Sequence, residues 1–371
     1  MKTIGIICEY NPLHNGHVYH FNKVKEESKA DCVILSLSSY LTQRGDLAIL
    51  DKFKRTELAL KLGVDLVIEC PALLSMNEAQ IFADAHVKNL INAGANEIWI
   101  GAEDGDEEIF RTYHNLIHSD KFNKLLDENI ALGLSYKEAF NKSIYSFNLP
   151  MLKSNDMLGL FYYEAILKLK PSVKLKTIKR TNSFIENSII NSSIQSASSI
   201  RNNLSLAKDY VPSYVLPYLS NILDNNLLVP FIKFNILNIN LNELAECSEG
   251  IENRLKYACG NSIDEMISSI KTRRYSESKL RRLLMDTCFQ IKKQDVTNAI
   301  TNYNYLRILG FNPKGQNLIK NFNKNITVYT NIKEGINPIL DFEIKIAKII
   351  DLIYHTNLLS AEITKPIIKG A

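Results

Sequence analysis

The chain has 371 residues, of which 46% are hydrophobic and 23% charged, and its net charge is +4 at pH 7. These values are ordinary for a globular protein, and the length predicts two domains rather than one. No apolar run approaches the roughly 20 residues of a membrane helix, and residues 4–8 are too short for a signal-peptide core, so we expect a cytoplasmic protein. The six cysteines form no CxxC pair, which predicts free thiols and disfavours a zinc site.

Strand and helix signals alternate through the first 180 residues. Short buried apolar runs predict strands, and apolar residues at helical spacing predict the helices between them. The predicted strands are residues 3–8, 32–37, 65–70, 97–101 and 173–177. The predicted helices are residues 16–28, 52–62, 77–91, 107–146 and 156–169. Repeated βα units predict a Rossmann-like α/β domain with a doubly wound parallel sheet, which binds its ligand at the carboxyl ends of the strands.

The pattern changes near residue 206, where the alternation of strands and helices stops. We expect a first domain over residues 1–205 and an all-α second domain over residues 206–371, with a small extended piece at 326–329. Residues 251–330 carry 14 Lys and Arg against 6 Asp and Glu, a net +8 that leaves −4 for the rest of the chain. This asymmetry predicts a polyanion as partner, with solvated helix faces as the alternative.

The turn between the first strand and the first helix carries the strongest chemical signal. It reads Glu9-Tyr10-Asn11-Pro12-Leu13-His14-Asn15-Gly16-His17. Unpaired N–H groups at the start of a helix attract anions, and Gly16 leaves room for a phosphate to approach. His14 and His17 can donate hydrogen bonds to phosphate oxygens as charge develops, and His20 extends the series. A metal site and an ordinary helix cap remain alternatives.

A second motif stands about one domain later, as Ile194-Gln195-Ser196-Ala197-Ser198-Ser199-Ile200-Arg201. It predicts a helix start rich in hydroxyl caps, with an arginine that can bind phosphate with two hydrogen bonds. Together the two motifs resemble those of the HxGH nucleotidyltransferases, which are relatives of the class I aminoacyl-tRNA synthetases.

More specific segments are similar to the bacterial tRNA(Met) cytidine acetate ligase family over nearly the whole length. These segments are residues 9–12, 43–46, 63–69, 155–159, 249–255, 271–275, 281–284 and 309–312. The resemblance implies that ATP activates acetate to acetyl-adenylate, and that the acetyl group passes to N4 of the wobble cytidine of elongator tRNA(Met). It leaves a Mg²⁺ requirement open and implies no protein partner. The chain departs from the family pattern at residues 37–40, at residues 181–184 and at Ser198.

The resemblance also implies site residues. The catalytic residues would be His14, His17 and Arg201, with no metal ligand. The ATP site would comprise Ile7, Cys8, Glu9, Tyr10, Asn11, Pro12, Leu13, His14, Asn15, Gly16, His17, Val18, Tyr19, His20, Gly101, Asn155, Arg180, Ser198, Ser199 and Ile200. The alternatives are a helix N-cap for Asn155 and a solvated strand end for Arg180.

The RNA backbone would be held by basic residues of the second domain, with Tyr275 available for stacking on a base. These basic residues are Lys271, Arg273, Arg274, Lys279, Arg281 and Arg282. The sequence leaves two other functions open. A cofactor-type adenylyltransferase acting on a small phosphorylated precursor is disfavoured by the long basic region. A non-catalytic RNA-binding protein on this fold is disfavoured because His14, Gly16, His17, Ile200 and Arg201 are all intact.

Overall fold

The computed structural model describes residues 1–134, 136–180, 195–248, 250–364 and 366–368. A single twisted sheet lies at its centre. The strands are β1 (Thr3–Cys8), β2 (Cys32–Ser38), β3 (Leu66–Cys70), β4 (Glu97–Ala102), β5 (Lys174–Lys179), β6 (Tyr305–Phe311), β7 (Thr327–Tyr329) and β8 (Ile367–Ile368). They are arranged in the order β5-β4-β1-β2-β3-β6-β7, and β8 pairs with β6 at one side.

Helices flank this sheet. They are α1 (Asn15–Ser28), α2 (Lys52–Leu62), α3 (Ala72–Ser75), α4 (Ala79–Asn92), α5 (Glu107–Ile117), α6 (Asp120–Ala131), α7 (Tyr136–Ser146), α8 (Ser154–Leu169), α9 (Ala197–Asn202), α10 (Val229–Asn238), α11 (Ile251–Leu255), α12 (Ile263–Ile270), α13 (Glu277–Phe289), α14 (Lys293–Asn302), α15 (Pro313–Ile319), α16 (Pro338–Tyr354) and α17 (Leu358–Ile363). In the ranges given above, no helix combines the length and apolarity that crossing a bilayer requires.

The predicted Rossmann-like α/β fold is confirmed. β1 pairs in parallel with β2 on one side and with β4 on the other, and the parallel pairing continues to β3 and β5. The chain runs outward from β1 through β2 and β3, then returns to start the other half at β4. Ligands bind at such a reversal of strand order, in the crevice outside the carboxyl ends of the strands. The sheet therefore places its binding crevice where β1 leads into α1.

The prediction of an all-α second half is wrong, because three strands after residue 206 join the sheet. All seven residues of β6 are buried, and β6 lies antiparallel to β3, with Leu66 opposite Phe311. Arg307 interrupts the apolar run of β6, so the sequence pattern does not predict a strand there. The extended piece predicted at residues 326–329 is confirmed as β7, which pairs with β6. The division at residues 205 and 206 stays a prediction, and one apolar cluster contains residues from both sides of it.

A buried group of charges explains how β6 accommodates Arg307. Lys52 of α2 lies 2.6 Å from Oε1 of Glu362 and 3.1 Å from Oε2 of Glu343, and it also contacts Glu69 of β3. Arg307 lies 3.5 Å from Oε2 of Glu362. All five side chains are at most 1% exposed. Buried charges are tolerated only when they are paired in this way, so the cluster fixes α16 and α17 against the sheet.

Candidate functional site

The first helix begins on a histidine cap. His14 is the N-cap of α1, and its Nδ1 accepts a hydrogen bond from the backbone N–H of Gly16 at 3.0 Å. The Nδ1 of His17 accepts in return from the backbone N–H of His14 at 3.3 Å. The two rings lie with their centroids 3.8 Å apart, and Tyr10 meets the His17 ring edge-on. This reciprocal cap satisfies N–H groups that the first turn of a helix leaves unpaired.

The cap also fixes the protonation of both rings. A backbone N–H can only donate, so both Nδ1 atoms are unprotonated and each neutral ring carries its proton on Nε2. Burial lowers the pKa of His14 to about 3 and the pKa of His17 well below its usual value, with Arg180 as a further cause for both. Burial likewise lowers the pKa of His20 to about 4. At neutral pH, His14 and His17 are therefore uncharged hydrogen-bond donors through Nε2–H.

Buried side chains hold the turn before α1 in place. Arg55 of α2 donates from Nη1 to the carbonyl of Glu9 at 2.7 Å and to that of Ser38 at 3.0 Å, which ties the end of β1 to the end of β2. The carboxylate of Glu9 accepts from the backbone N–H of Gln43 at 2.7 Å. The side chain of Asn11 accepts from the backbone N–H of Ile49 at 2.9 Å. The turn is thus preorganised by the fold before any ligand binds.

The second predicted motif lies directly against the first. Ser196 is the N-cap of α9 and accepts from the backbone N–H of Ser199 at 3.1 Å. Arg201 then reaches across and donates from Nη1 to the carbonyl of Asn11 at 2.7 Å. The structure therefore brings the two motifs together across 190 residues of sequence. Ile194 of this motif and the departure at residues 181–184 lie outside the described residues.

One large cavity, of about 1560 Å³, opens at this junction. The predicted ATP-site residues that line it are Ile7, Cys8, Glu9, Tyr10, Asn11, His14, Gly16, His17, Tyr19, His20, Gly101, Asn155, Arg180 and Ser198, joined by Arg201. The predicted residues that do not line it are Pro12, Leu13, Asn15, Val18, Ser199 and Ile200. Leu13 and Ile200 are instead buried in the apolar cluster beneath the turn, where they support it.

The opposite wall of the cavity comes from β4 and α8. The Arg180 side chain packs beside Gly101, because a Cβ on Gly101 would lie 3.5 Å from Nη1 of Arg180, an ordinary contact distance. Asn155 is not the N-cap of α8, and its side chain donates to the carboxylate of Glu103. The next residue, Asp156, accepts from the backbone N–H groups of residues 103–105 at 2.9 to 3.1 Å. These bonds fix the loop after β4 beside the cavity.

A loop that the sequence analysis did not assign to the site carries a further cation. Arg44 lines the cavity with an exposed side chain, and it makes no ion pair or hydrogen bond with the described part of the chain. The next residue, Gly45, has φ +88°, and a Cβ there would lie 2.3 Å from the backbone nitrogen of Arg282. The loop is therefore pressed against α13. Its position after the carboxyl end of β2 is the signal that could have identified it.

The predicted RNA-contacting residues differ in their surroundings. Lys271, Arg273 and Arg274 are exposed, whereas Arg281 is bound by Asp46 at 3.1 Å and by two further carboxylates. Arg282 is only 8% exposed and forms an ion pair with Glu246, which removes it from the surface.

Tyr275 is also unavailable to a base, because it is 7% exposed and Lys279 lies over its ring. We therefore leave Arg282 and Tyr275 out of the proposed RNA face. The start of α13 nevertheless borders the cavity, since Ser278 lines it.

A parallel sheet, two uncharged histidines on a helix cap and an arginine from a second motif at the same cavity define a nucleotidyltransferase of the HIGH class. The model of a family described as HIGH Nucleotidyl Transferase matches residues 1–364. The tRNA(Met) cytidine acetate ligase of Clostridium novyi (strain NT) is 33% identical over 374 residues, which cover 93% of this chain and 94% of that protein. The enzyme of the same name from Acetivibrio thermocellus is 34% identical over 361 residues, covering 88% and 87%.

Solved structures agree with this assignment. The crystal structure of Thermotoga maritima TmcAL bound with alpha-thio ATP superposes with a TM-score of 0.85, at 26% identity and with 99% of both chains covered. Its apo form superposes with a TM-score of 0.87 over the same share. The chain belongs to the tRNA(Met) cytidine acetate ligase family.

Proposed function

We propose that this chain joins acetate to ATP, forming acetyl-adenylate and pyrophosphate, and then transfers the acetyl group to N4 of the wobble cytidine of elongator tRNA(Met), releasing AMP. The observation that carries the proposal is the meeting of both motifs at one cavity, with Arg201 bound to Asn11 at 2.7 Å. The names of its full-length relatives supply the acceptor. A tRNA substrate assigns the protein to the cytoplasm.

In the first step, an acetate oxygen attacks the α-phosphorus of ATP and the bond to the leaving pyrophosphate breaks. His14 and His17 would donate their Nε2 protons as hydrogen bonds to phosphate oxygens, where negative charge increases in the transition state. Because burial keeps both rings neutral while Nδ1 accepts in the cap, Nε2–H is the one donor that each ring directs at the phosphate. The fixed turn supplies the positioning that this chemistry chiefly requires.

Guanidinium groups would hold the remaining phosphate charge. Arg180 and Arg201 line the cavity beside the histidines, and Arg44 adds a cation from the loop after β2. We assign Arg44 to the terminal phosphates of ATP, because its exposed side chain lines the cavity and forms no hydrogen bond or ion pair among the described residues. If Mg²⁺ accompanies ATP, the Glu9 carboxylate, which lines the cavity, would hold it, and the ion would neutralise part of the phosphate charge.

In the second step, the exocyclic amine of cytidine attacks the acetyl carbonyl and AMP leaves. A cavity of about 1560 Å³ exceeds the range of about 300–1,000 Å³ that is usual for one small ligand, which leaves space for a base beside the adenylate. The cytidine would have to be unstacked to enter. Lys271, Arg273, Arg274, Lys279 and Arg281 lie on or before α13 and would hold the RNA backbone near the mouth.

Acetate-dependent exchange of labelled pyrophosphate into ATP tests the first step. We expect exchange that requires acetate and that needs no tRNA. Exchange driven by a small phosphorylated precursor, with none driven by acetate, would replace the proposal with a cofactor adenylyltransferase. A chain that binds no ATP at millimolar concentration would contradict both enzymatic functions.

A further inference from the structure

Two histidines at the end of α5 meet a glutamate of α8 beside the same cavity, which His118 and Glu164 line, outside the nucleotide turn. His114 lies in the last turn of α5 and His118 is its C-cap, and the spacing of four residues puts both on one face. Oε1 of Glu164 lies 3.2 Å from Nδ1 of His114 and 2.8 Å from Nε2 of His118. The three ligand atoms all lie within 4.8 Å of one another.

The surroundings give Glu164 no further cation in the described part of the chain. Within the described ranges, the two imidazoles are the only ion-pair partners of Glu164, because the neighbouring Lys168 pairs with Asp84 at 2.7 Å instead. The side chains of His114 and Glu164 are 27% and 15% exposed, whereas that of His118 is 61% exposed. The group is therefore half-buried on the protein side and open to an ion from solvent on the other.

The spacing of the ligand atoms fits a metal ion. Zinc binds imidazole nitrogen and carboxylate oxygen at about 2.0–2.2 Å with tetrahedral geometry, which places two such ligands about 3.3 Å apart. The measured separations of 3.2 and 2.8 Å are within about half an ångström of that value. The three ligand atoms as a set lie within 4.8 Å of one another, so the two imidazoles would close in around an ion when it binds.

We propose that His114, His118 and Glu164 bind one Zn²⁺ or chemically similar transition-metal ion, leaving a fourth position for water. Two imidazoles and one carboxylate suit zinc, whereas Mg²⁺ and Ca²⁺ require oxygen ligands. The absence of CxxC pairs has no bearing on it, because this ligand set uses no cysteine. Since His118 and Glu164 line the cavity, the ion would pin the end of α5 to α8 at the cavity wall.

The full-length protein, stripped of metal with EDTA, is titrated with Zn²⁺ against a chromophoric chelator at pH 7.5. We expect one ion per chain. His118→Ala and Glu164→Gln should each weaken binding about tenfold or more, and the His114→Ala/His118→Ala double variant should lose the stoichiometric ion. His118 is exposed, so its removal leaves the fold intact, which circular dichroism checks.

Two exposed side chains of types that bind metal ions, placed elsewhere in the chain, serve as matched controls. His355 and Cys259 are both exposed and lie outside the cavity. His355→Asn, which tolerates the left-handed backbone there, and Cys259→Ser should both bind Zn²⁺ like the wild type. Equal affinity in the wild type and the double variant, or weaker binding in a control alone, would overturn the proposed site.

Discussion

Replacing Arg44 by alanine should weaken ATP binding while leaving the fold intact. The side chain is exposed, and its removal breaks no hydrogen bond or ion pair among the described residues. A hydrogen bond between a charged pair contributes about 1.5–3 kcal/mol, which corresponds to a loss of about 10- to 150-fold in affinity. AMP lacks the terminal phosphates, so its affinity should stay within about twofold of the wild type.

Calorimetric titration with ATP and with AMP measures both affinities. Arg111→Ala is the matched control, because Arg111 is an exposed arginine whose side chain does not line the cavity. Unchanged ATP affinity in Arg44→Ala would refute the assignment of Arg44 to the terminal phosphates. Equal weakening of ATP and AMP would refute it as well, since that result would mean a disturbed loop rather than a lost phosphate contact.

Three further predictions concern the histidine cap, the buried charges and the loss of stability at low pH. His17→Asn keeps an acceptor near Nδ1 but loses the Nε2 donor, so acetate-dependent pyrophosphate exchange should slow about 100- to 1000-fold. Lys52→Met leaves three buried carboxylates with Arg307 as their remaining cation, so the free energy of unfolding in urea should fall by about 3–5 kcal/mol. The control Lys61→Met, at an exposed lysine, should lower it by about 1 kcal/mol or less. Burial lowers the pKa of His86 to about 3, so below about pH 6.5 the unfolded chain binds a proton that the folded chain excludes, and the free energy of unfolding falls. Urea unfolding at pH 7.5 and pH 5.5 should show a decline smaller by about 1.4 kcal/mol in His86→Gln than in the wild type, and equal declines would contradict this assignment.

The first half of the fold could be predicted because its signals are local. The strands from β1 to β5 are short apolar runs separated by amphipathic helices, and each lies within a few residues of its predicted position. The helical stretch predicted over residues 107–146 contains α5, α6 and α7, and α5 is separated from α6 where the Ser119 side chain caps α6 by accepting from the N–H of Phe122. Such a break depends on one side chain and leaves the periodicity almost unchanged.

β6 could not be predicted from the same signals. Its sequence contains Arg307, and a charge inside an apolar run disfavours a buried strand. The strand is buried because the carboxylates of Glu69 and Glu362, which are 238 and 55 residues away in the chain, compensate the charge of Arg307. Only the folded chain brings these carboxylates together.

The candidate site also contains some residues that the sequence predicts and others that it does not. The motif around His14 and the motif ending at Arg201 were visible because each is a contiguous pattern at a helix start. The contacts that hold them could not be predicted, because Arg55 donates to the backbone carbonyl of Glu9 and Gln43 donates its own backbone N–H to the Glu9 carboxylate. Arg282 and Tyr275 show the converse case, in which residue type suggested an RNA contact but burial removes it.

The most direct test of the proposed function is transfer of label from radioactive acetate to RNA. The full chain is incubated with ATP, labelled acetate and elongator tRNA(Met), and the RNA is digested to nucleosides. We expect label in N4-acetylcytidine from the wobble position, dependent on ATP and absent with His17→Asn. RNA that carries no label, from a reaction in which the enzyme binds ATP and exchanges pyrophosphate, would contradict the proposed acetyl transfer to tRNA.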